Sequence, residues 1–97
     1  MHIGACTVRL RLPGNHSLKG KRQVVKSIVQ RVKNDYNVSI AEVDDQDTWQ
    51  VIVLGIACVS ESGRHCDEML SKVISFIERC RFDVEILDYE IEIIHAL

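Results

Sequence analysis

Basic side chains recur at helical spacing between residues 19 and 33, and they are the residues best suited to bind a ligand. Lys19, Arg22, Lys26 and Lys33 fall within about 60° of one another when each residue advances about 100° around a helix. A helix start adds unpaired backbone N–H groups and the positive end of the helix dipole, which together suit a phosphate or carboxylate. The candidate anion- or RNA-binding residues are therefore Asn15, His16, Ser17, Lys19, Lys21, Arg22, Lys26 and Lys33. The simpler alternative is a solvated helix face, because lysines commonly cover exposed helices.

A second polar cluster, Asp44-Asp45-Gln46-Asp47-Thr48, precedes Trp49. The topology derived below brings this segment to the same end of the sheet as the basic loop. Two interpretations follow: a salt-bridged cap between neighbouring loops, or a polar site with a stacking tryptophan.

Signatures of established catalytic sites are absent from the sequence. It contains no GxGxxG, no phosphate-loop lysine motif and no nucleophile elbow. The four histidines share no metal-ligand spacing with a cysteine or a carboxylate. The four cysteines lie in periodic apolar segments, where a reduced thiol behaves as a small hydrophobic group: Cys6, Cys58, Cys66 and Cys80. We therefore predict a domain that is not an enzyme and that needs no cofactor, metal or disulfide.

The elements that position these residues follow from hydrophobic periodicity. Alternation or continuous apolar runs predict strands over 6–12, 37–43, 49–59 and 84–94. Apolar residues at helical spacing predict two helices between them, the first capped by Ser17 and the second starting within 60–63. The inward positions are Val25, Ile28, Val29, Val32 and Tyr36 in the first helix, and Cys66, Met69, Leu70, Val73, Ile77 and Cys80 in the second.

The resulting βαββαβ order predicts one α+β domain over residues 1–97, a ferredoxin-like sandwich. Its four-stranded antiparallel sheet carries both helices on one face, with the first and last strands adjacent. In the last strand, one face is predicted to hold Leu87, Tyr89, Ile91 and Ile93 and the other Asp88, Glu90 and Glu92. Arg9 and Arg11 are then expected to form cross-strand ion pairs with the acidic face. Residues 51–59 are apolar on both faces, which predicts a homodimer that covers the open face or extends the sheet.

Charge is unevenly distributed along the chain, although its net value is only −2. Residues 1–40 carry eight basic side chains and one acidic, whereas residues 41–97 carry four basic and thirteen acidic. Such asymmetry marks a nucleic-acid contact or cancels internally when the two halves pack together. No apolar run approaches the roughly 18 residues of a membrane span, and the N-terminus lacks the pattern of a secretory signal. We expect a cytoplasmic protein without a membrane partner.

Longer motifs are similar to those of a known family. RLRLPGNHSLKGKRQVVKS, NVSIAEVDDQDTWQ and the terminal DYEIEII resemble the YlxP-like bacterial family, a domain of unknown function, over essentially the whole chain. The pattern LPGNxSLKxKRxVVKS followed by NVSxAEVxxQDxWQ is specific, because a generic βαββαβ domain does not need it. Gly20 departs from the family, in which a charged helix former is common there, and the cysteines are extra. The resemblance implies a ferredoxin-like fold and, from the translation and ribosome-maturation genes near those of family members, work on RNA. It carries over no catalytic residue.

Three functions remain open from the sequence. The leading hypothesis is a small RNA- or ribosome-associated binding module that uses the basic helix and loop. The sheet is a poorer RNA surface, because its open face offers Arg9, Arg11, Glu90 and Glu92 instead of aromatic side chains. The alternatives are a dimeric small-molecule sensor or structural subunit, and an acylphosphatase-like phosphate hydrolase. The hydrolase would require a loop of GxVQGVxFR type where this chain has PGNHSLKGKR.

Overall fold

Six elements follow one another in the computed structural model, which describes residues 1–81 and 83–97. They are β1 (His2–Arg11), α1 (Leu18–Asp35), β2 (Ser39–Asp44), β3 (Val51–Ser60), α2 (Gly63–Cys80) and β4 (Glu85–His95). The predicted βαββαβ order is confirmed. β1 begins four residues earlier than predicted, because His2 pairs with both Ser60 and His95 and long-range pairing extends the strand beyond its alternating part.

The four strands form one sheet in the order β2-β3-β1-β4, and neighbouring strands are antiparallel. This is the ferredoxin-like α+β arrangement expected from the sequence. β1 and β3 are the central strands, so their helix-facing side chains are fully covered. Val8, Leu10, Ile52 and Leu54 are completely buried against the two helices.

Each helix begins at a serine cap and buries one stripe of side chains. Ser17 Oγ accepts a hydrogen bond from the Gly20 N–H (3.0 Å), and Ser62 Oγ accepts one from the His65 N–H (3.3 Å). The buried residues are Lys21, Val24, Ile28 and Val32 in α1, and Cys66, Leu70, Val73, Ile74 and Ile77 in α2. The predicted inward positions Val25, Val29, Tyr36, Met69 and Cys80 are half-buried at the edges of these stripes. Within the described residues, neither helix is long and apolar enough to cross a membrane.

The register between β1 and β4 corrects the predicted faces of the last strand. Arg9 lies opposite Asp88 but Leu10 lies opposite Ile86, so Leu87 is the extra residue of a bulge. Ile86 therefore packs against the core in the place predicted for Leu87, which is exposed. A bulge reverses the alternation of side chains, which strict period-two reasoning could not anticipate.

The predicted cross-strand ion pairs form at only one of the two arginines. Arg9 Nη1 lies 3.0 Å from Asp88 Oδ2, and both side chains are about half exposed. Arg11, at the end of β1, takes part in no ion pair within the described part of the chain.

Candidate nucleic-acid interface

The four basic residues predicted to share one side of α1 are all exposed: Lys19, Arg22, Lys26 and Lys33. We call this set the basic strip. From Lys19 to Lys33 it extends over about 21 Å, at about 1.5 Å rise per residue. None of its members forms an ion pair with any residue that the structure describes. Asp35, the last residue of α1, is the helix's only acidic side chain, so little negative charge lies beside the strip.

Two of the predicted binding residues, Asn15 and Ser17, form hydrogen bonds within the loop before α1. The Asn15 side-chain amide donates to the carbonyl oxygens of Ser17 (2.7 Å) and Trp49 (2.6 Å). Ser17 serves as the helix cap, and no acidic residue occupies the first turn of α1. Asn15 and Ser17 therefore support the loop, while His16 beside them is exposed at the positive end of the helix.

Lys21 does not belong to this surface, which corrects the sequence-based set. Its side chain is only 1% exposed, and Nζ lies 3.0 Å from Glu42 Oε2. The ammonium also donates to the carbonyl oxygens of Thr48 (2.7 Å) and Asp45. The ammonium thus makes two hydrogen bonds to backbone carbonyls and one ion pair with Glu42, all within the β2–β3 segment, so this charge is unavailable to a ligand.

The sequence-based prediction placed Lys21 on the exposed surface, although the spacing of apolar residues indicated that it is buried. Lys21 precedes Val24 and Ile28 by three and seven residues, which places it in phase with the buried stripe of α1. A lysine in that phase requires a buried acceptor, and Glu42 on the neighbouring strand provides one.

The acidic turn meets the basic loop as the topology predicts, but the connection differs from a simple salt-bridged cap. Gln50 Nε2 donates to the carbonyl oxygens of Pro13 (3.3 Å) and Asn15 (3.1 Å). Together with Lys21, these bonds join the two loops mainly through backbone carbonyls. Asp44, Asp45 and Asp47 take part in no ion pair within residues 1–81 and 83–97. Trp49 remains half exposed beside the loop, where a stacking role stays a prediction.

The opposite face of the sheet contains a shallow hollow of about 560 Å³. Its floor consists of small side chains on the three strands β2, β3 and β1: Ala5, Thr7, Ser39, Ala41, Gly55 and Ala57. Val43 lies across Gly55 because that residue lacks a side chain, and an added Cβ would stand 2.7 Å from Val43 Cγ1. Glu90 and Glu92 of β4 form one rim of the hollow.

The thiols lie in or beside the hydrophobic core. Cys6, Cys58 and Cys66 are buried and Cys80 is half-buried, and all four are free. Burial raises the pKa of the Cys6 thiol to about 11. Burial, reinforced by the neighbouring Cys66, also raises the pKa of Cys58. A thiol whose pKa is raised in this way stays protonated near neutral pH. The described residues include no cluster of histidine, cysteine and carboxylate groups that could hold a metal ion.

The fold and this interface together define a ferredoxin-like domain with an exposed cationic helix. The chain belongs to the family described as "Protein of unknown function (DUF503)", which matches residues 3–91. It is 50% identical over 62 residues to the "Uncharacterized protein YlxP" of Bacillus subtilis (strain 168). That match covers 64% of this chain and 67% of the relative. The resemblance stated from the sequence motifs is thereby confirmed.

Proposed function

We propose that this protein is a small RNA- or ribosome-associated binding module that contacts the phosphate backbone through the basic strip of α1. The observation that carries the proposal is four exposed cations on one side of a helix, none neutralised by a described side chain. His16 and the start of α1 continue the same surface. Binding of this kind makes or breaks no covalent bond. We expect the protein to act in the cytoplasm, where its RNA is found.

The chemistry of such a surface is counterion release. Each cation that neutralises a phosphate frees a condensed ion, so binding weakens linearly with the logarithm of salt concentration. Four contacts to a single-stranded or loop region give a logarithmic slope of about −3. Recognition through the open sheet face is a poorer alternative, because Arg9 is paired with Asp88 and Glu90 and Glu92 repel phosphate.

A charge reversal on α1 tests the proposal directly. The variant R22E/K26E/K33E changes exposed residues beside the apolar stripe, so we expect loss of RNA binding with a melting temperature within a few degrees of the native protein. The matched control R64E/K72E/R79E makes the same change in net charge at exposed positions on α2 and should keep most of the binding. Filter binding and ribosome cosedimentation across a salt series are the measurements.

Three results would reject the basic strip as the binding surface. They are no salt-sensitive binding by the native protein, equal binding by the α1 variant, and equal loss in the α2 control. The last result would show that only overall charge matters. K21M gives a further control, because Lys21 is buried away from the strip and its loss should weaken stability without weakening binding by the folded protein.

A second candidate function, a dimeric sensor or structural subunit, rests on the hollow of the open face. Its rim includes Val43, and Val59 farther along β3 is 67% exposed, so a second copy or a small apolar ligand would cover apolar surface there. The oligomeric state in solution tests this candidate. Light scattering at about tens of micromolar should show a dimer, and a monomer would reject it.

A further inference from the structure

β4 is a long edge strand with an unused side. It contains 11 residues and pairs through one side with β1, while its other side pairs with no strand in the described part of the chain. An edge strand offers a row of backbone donors and acceptors, which proteins commonly protect with charged side chains, proline or a β-bulge. Glu85–His95 contains no lysine or proline, its bulge at Leu87 lies near one end, and its charged side chains are carboxylates, which repel acidic strands but attract basic ones.

The side chains of β4 form two distinct rows. The open-face row is acidic at its centre, where Asp88, Glu90 and Glu92 lie opposite Arg9, Thr7 and Ala5 of β1. It also includes Glu85 at one end and the apolar Ile94 at the other. Asp88 is paired with Arg9 at 3.0 Å. Glu90 and Glu92 face no cation across the sheet and form no ion pair with the residues described.

The helix-face row of β4 is apolar but incompletely covered. Tyr89 and Ile93 lie opposite Val8 and Gly4 of β1, yet they remain 53% and 37% exposed. Covering such exposed apolar side chains with another surface lowers the free energy of the complex. The two rows therefore have different binding preferences, one for cations and one for apolar groups.

We propose that the free edge of β4 binds an extended segment of a partner protein whose side chains alternate between basic and apolar. An added strand would satisfy the unused backbone groups and place every second side chain beside Glu90 and Glu92. The intervening side chains would cover Tyr89 and Ile93. β1 shows the same complementarity on the inner side of β4, where Arg9 pairs with Asp88 and apolar residues alternate with it.

A second copy of β4 is a poor occupant of this edge. Antiparallel pairing of two β4 strands that keeps both helix layers on one side places carboxylates of the acidic rows opposite each other. Like charges directly opposite in a sheet are destabilising. The charge of the acidic row therefore favours a basic partner strand over self-pairing.

The free edge of β4 is separate from the basic strip of α1, so this proposal does not depend on the proposed RNA function.

A labelled peptide of alternating arginine and valine, about seven residues long, tests the edge directly. Fluorescence anisotropy should show binding that weakens by about tenfold or more in the variant E90K/E92K. The control variant D67K/E78K reverses two exposed carboxylates on α2 and should bind within about twofold of the native protein. Two control peptides, one with the same residues in two blocks and one alternating glutamate and valine, should bind weakly.

Amide hydrogen exchange distinguishes strand addition from loose charge attraction. Peptide binding should slow exchange at the β4 amides that point away from β1, because those N–H groups gain acceptors. Absence of binding, equal weakening by both charge reversals, or binding without β4 protection would each overturn the proposal. Sedimentation showing that β4 protection instead follows self-association would also overturn it, in favour of a second copy.

Discussion

Replacing Lys21 by methionine should destabilise the fold by about 3 kcal/mol at neutral pH. The substitution keeps the aliphatic volume but removes an ammonium that donates to the Asp45 and Thr48 carbonyl oxygens and forms an ion pair with Glu42. Loss of one partner of a buried ion pair costs about 3–5 kcal/mol, because the other charge is left uncompensated. Glu42 Oε2 is buried and has no hydrogen-bond partner among the described residues, but the Glu42 side chain as a whole is 16% exposed and the two carbonyl oxygens belong to exposed turn residues, so water relieves part of this cost. The lower end of the range therefore applies.

Chemical denaturation and thermal melting measure this loss. A decrease of about 3 kcal/mol corresponds to a fall in melting temperature of roughly 15 °C for a domain of this size. K26M is the matched control, because Lys26 is an exposed lysine of the same helix and its replacement should change stability by no more than about 0.5 kcal/mol. The double variant K21M/E42L should recover most of the loss, since an apolar pair leaves no buried charge unpaired.

Two outcomes would refute this reasoning. If K21M stays within about 1 kcal/mol of the native protein, the Lys21 contacts contribute little beyond packing. If K21M/E42L is no more stable than K21M, the cost does not come from an uncompensated Glu42 carboxylate. Faster amide exchange across the β2–β3 turn in K21M would identify the turn as the region that Lys21 holds in place.

Three further predictions concern the interior and the helix start. Because burial raises the pKa of Cys6 to about 11 in the folded protein, its contribution to stability is present below pH 9 and is lost as the pH rises towards 11. Denaturation should show an alkaline decrease that is larger in the native protein than in C6V, by up to about 2 kcal/mol at about pH 10.5, because the raised pKa values of Cys58 and Cys80 act in both proteins. Gly20→Ala should destabilise α1 although alanine favours helices, because a Cβ there would overlap Asn15 Oδ1. Unchanged or increased stability would contradict this. Thiol counting after denaturation should find four reactive cysteines, and elemental analysis should find no stoichiometric metal; fewer thiols or bound zinc would refute that expectation.

Gly20 illustrates a departure from the family pattern that has a structural explanation here. The Asn15 amide is fixed by the carbonyl oxygens of Ser17 and Trp49, and this geometry directs Asn15 Oδ1 towards the space where a side chain at position 20 would begin. Glycine is therefore the residue that fits the observed loop. A larger residue at this position requires Asn15 to take another arrangement.

The order and type of the elements were determined by the sequence alone. Val8 and Leu10 alternate with exposed residues in β1, and Ile28 and Val32 recur at helical spacing in α1, because a strand and a helix impose these periods on neighbouring residues. The serine cap at position 17 is equally local, since its acceptor and donor lie three residues apart. The exposure of the basic strip follows from the same helical period.

Only the tertiary structure decided which charged residues remain free. The spacing of Lys21 from Val24 and Ile28 indicates that it faces the core, but only the fold brings a carboxylate and two carbonyl oxygens to it from segments more than twenty residues away. The bulge at Leu87 likewise arises from the register of β4 against β1. Periodicity assigns a side chain to a face, whereas its charge partners and its register depend on distances between segments remote in the chain, which are set when the sheet and helices pack.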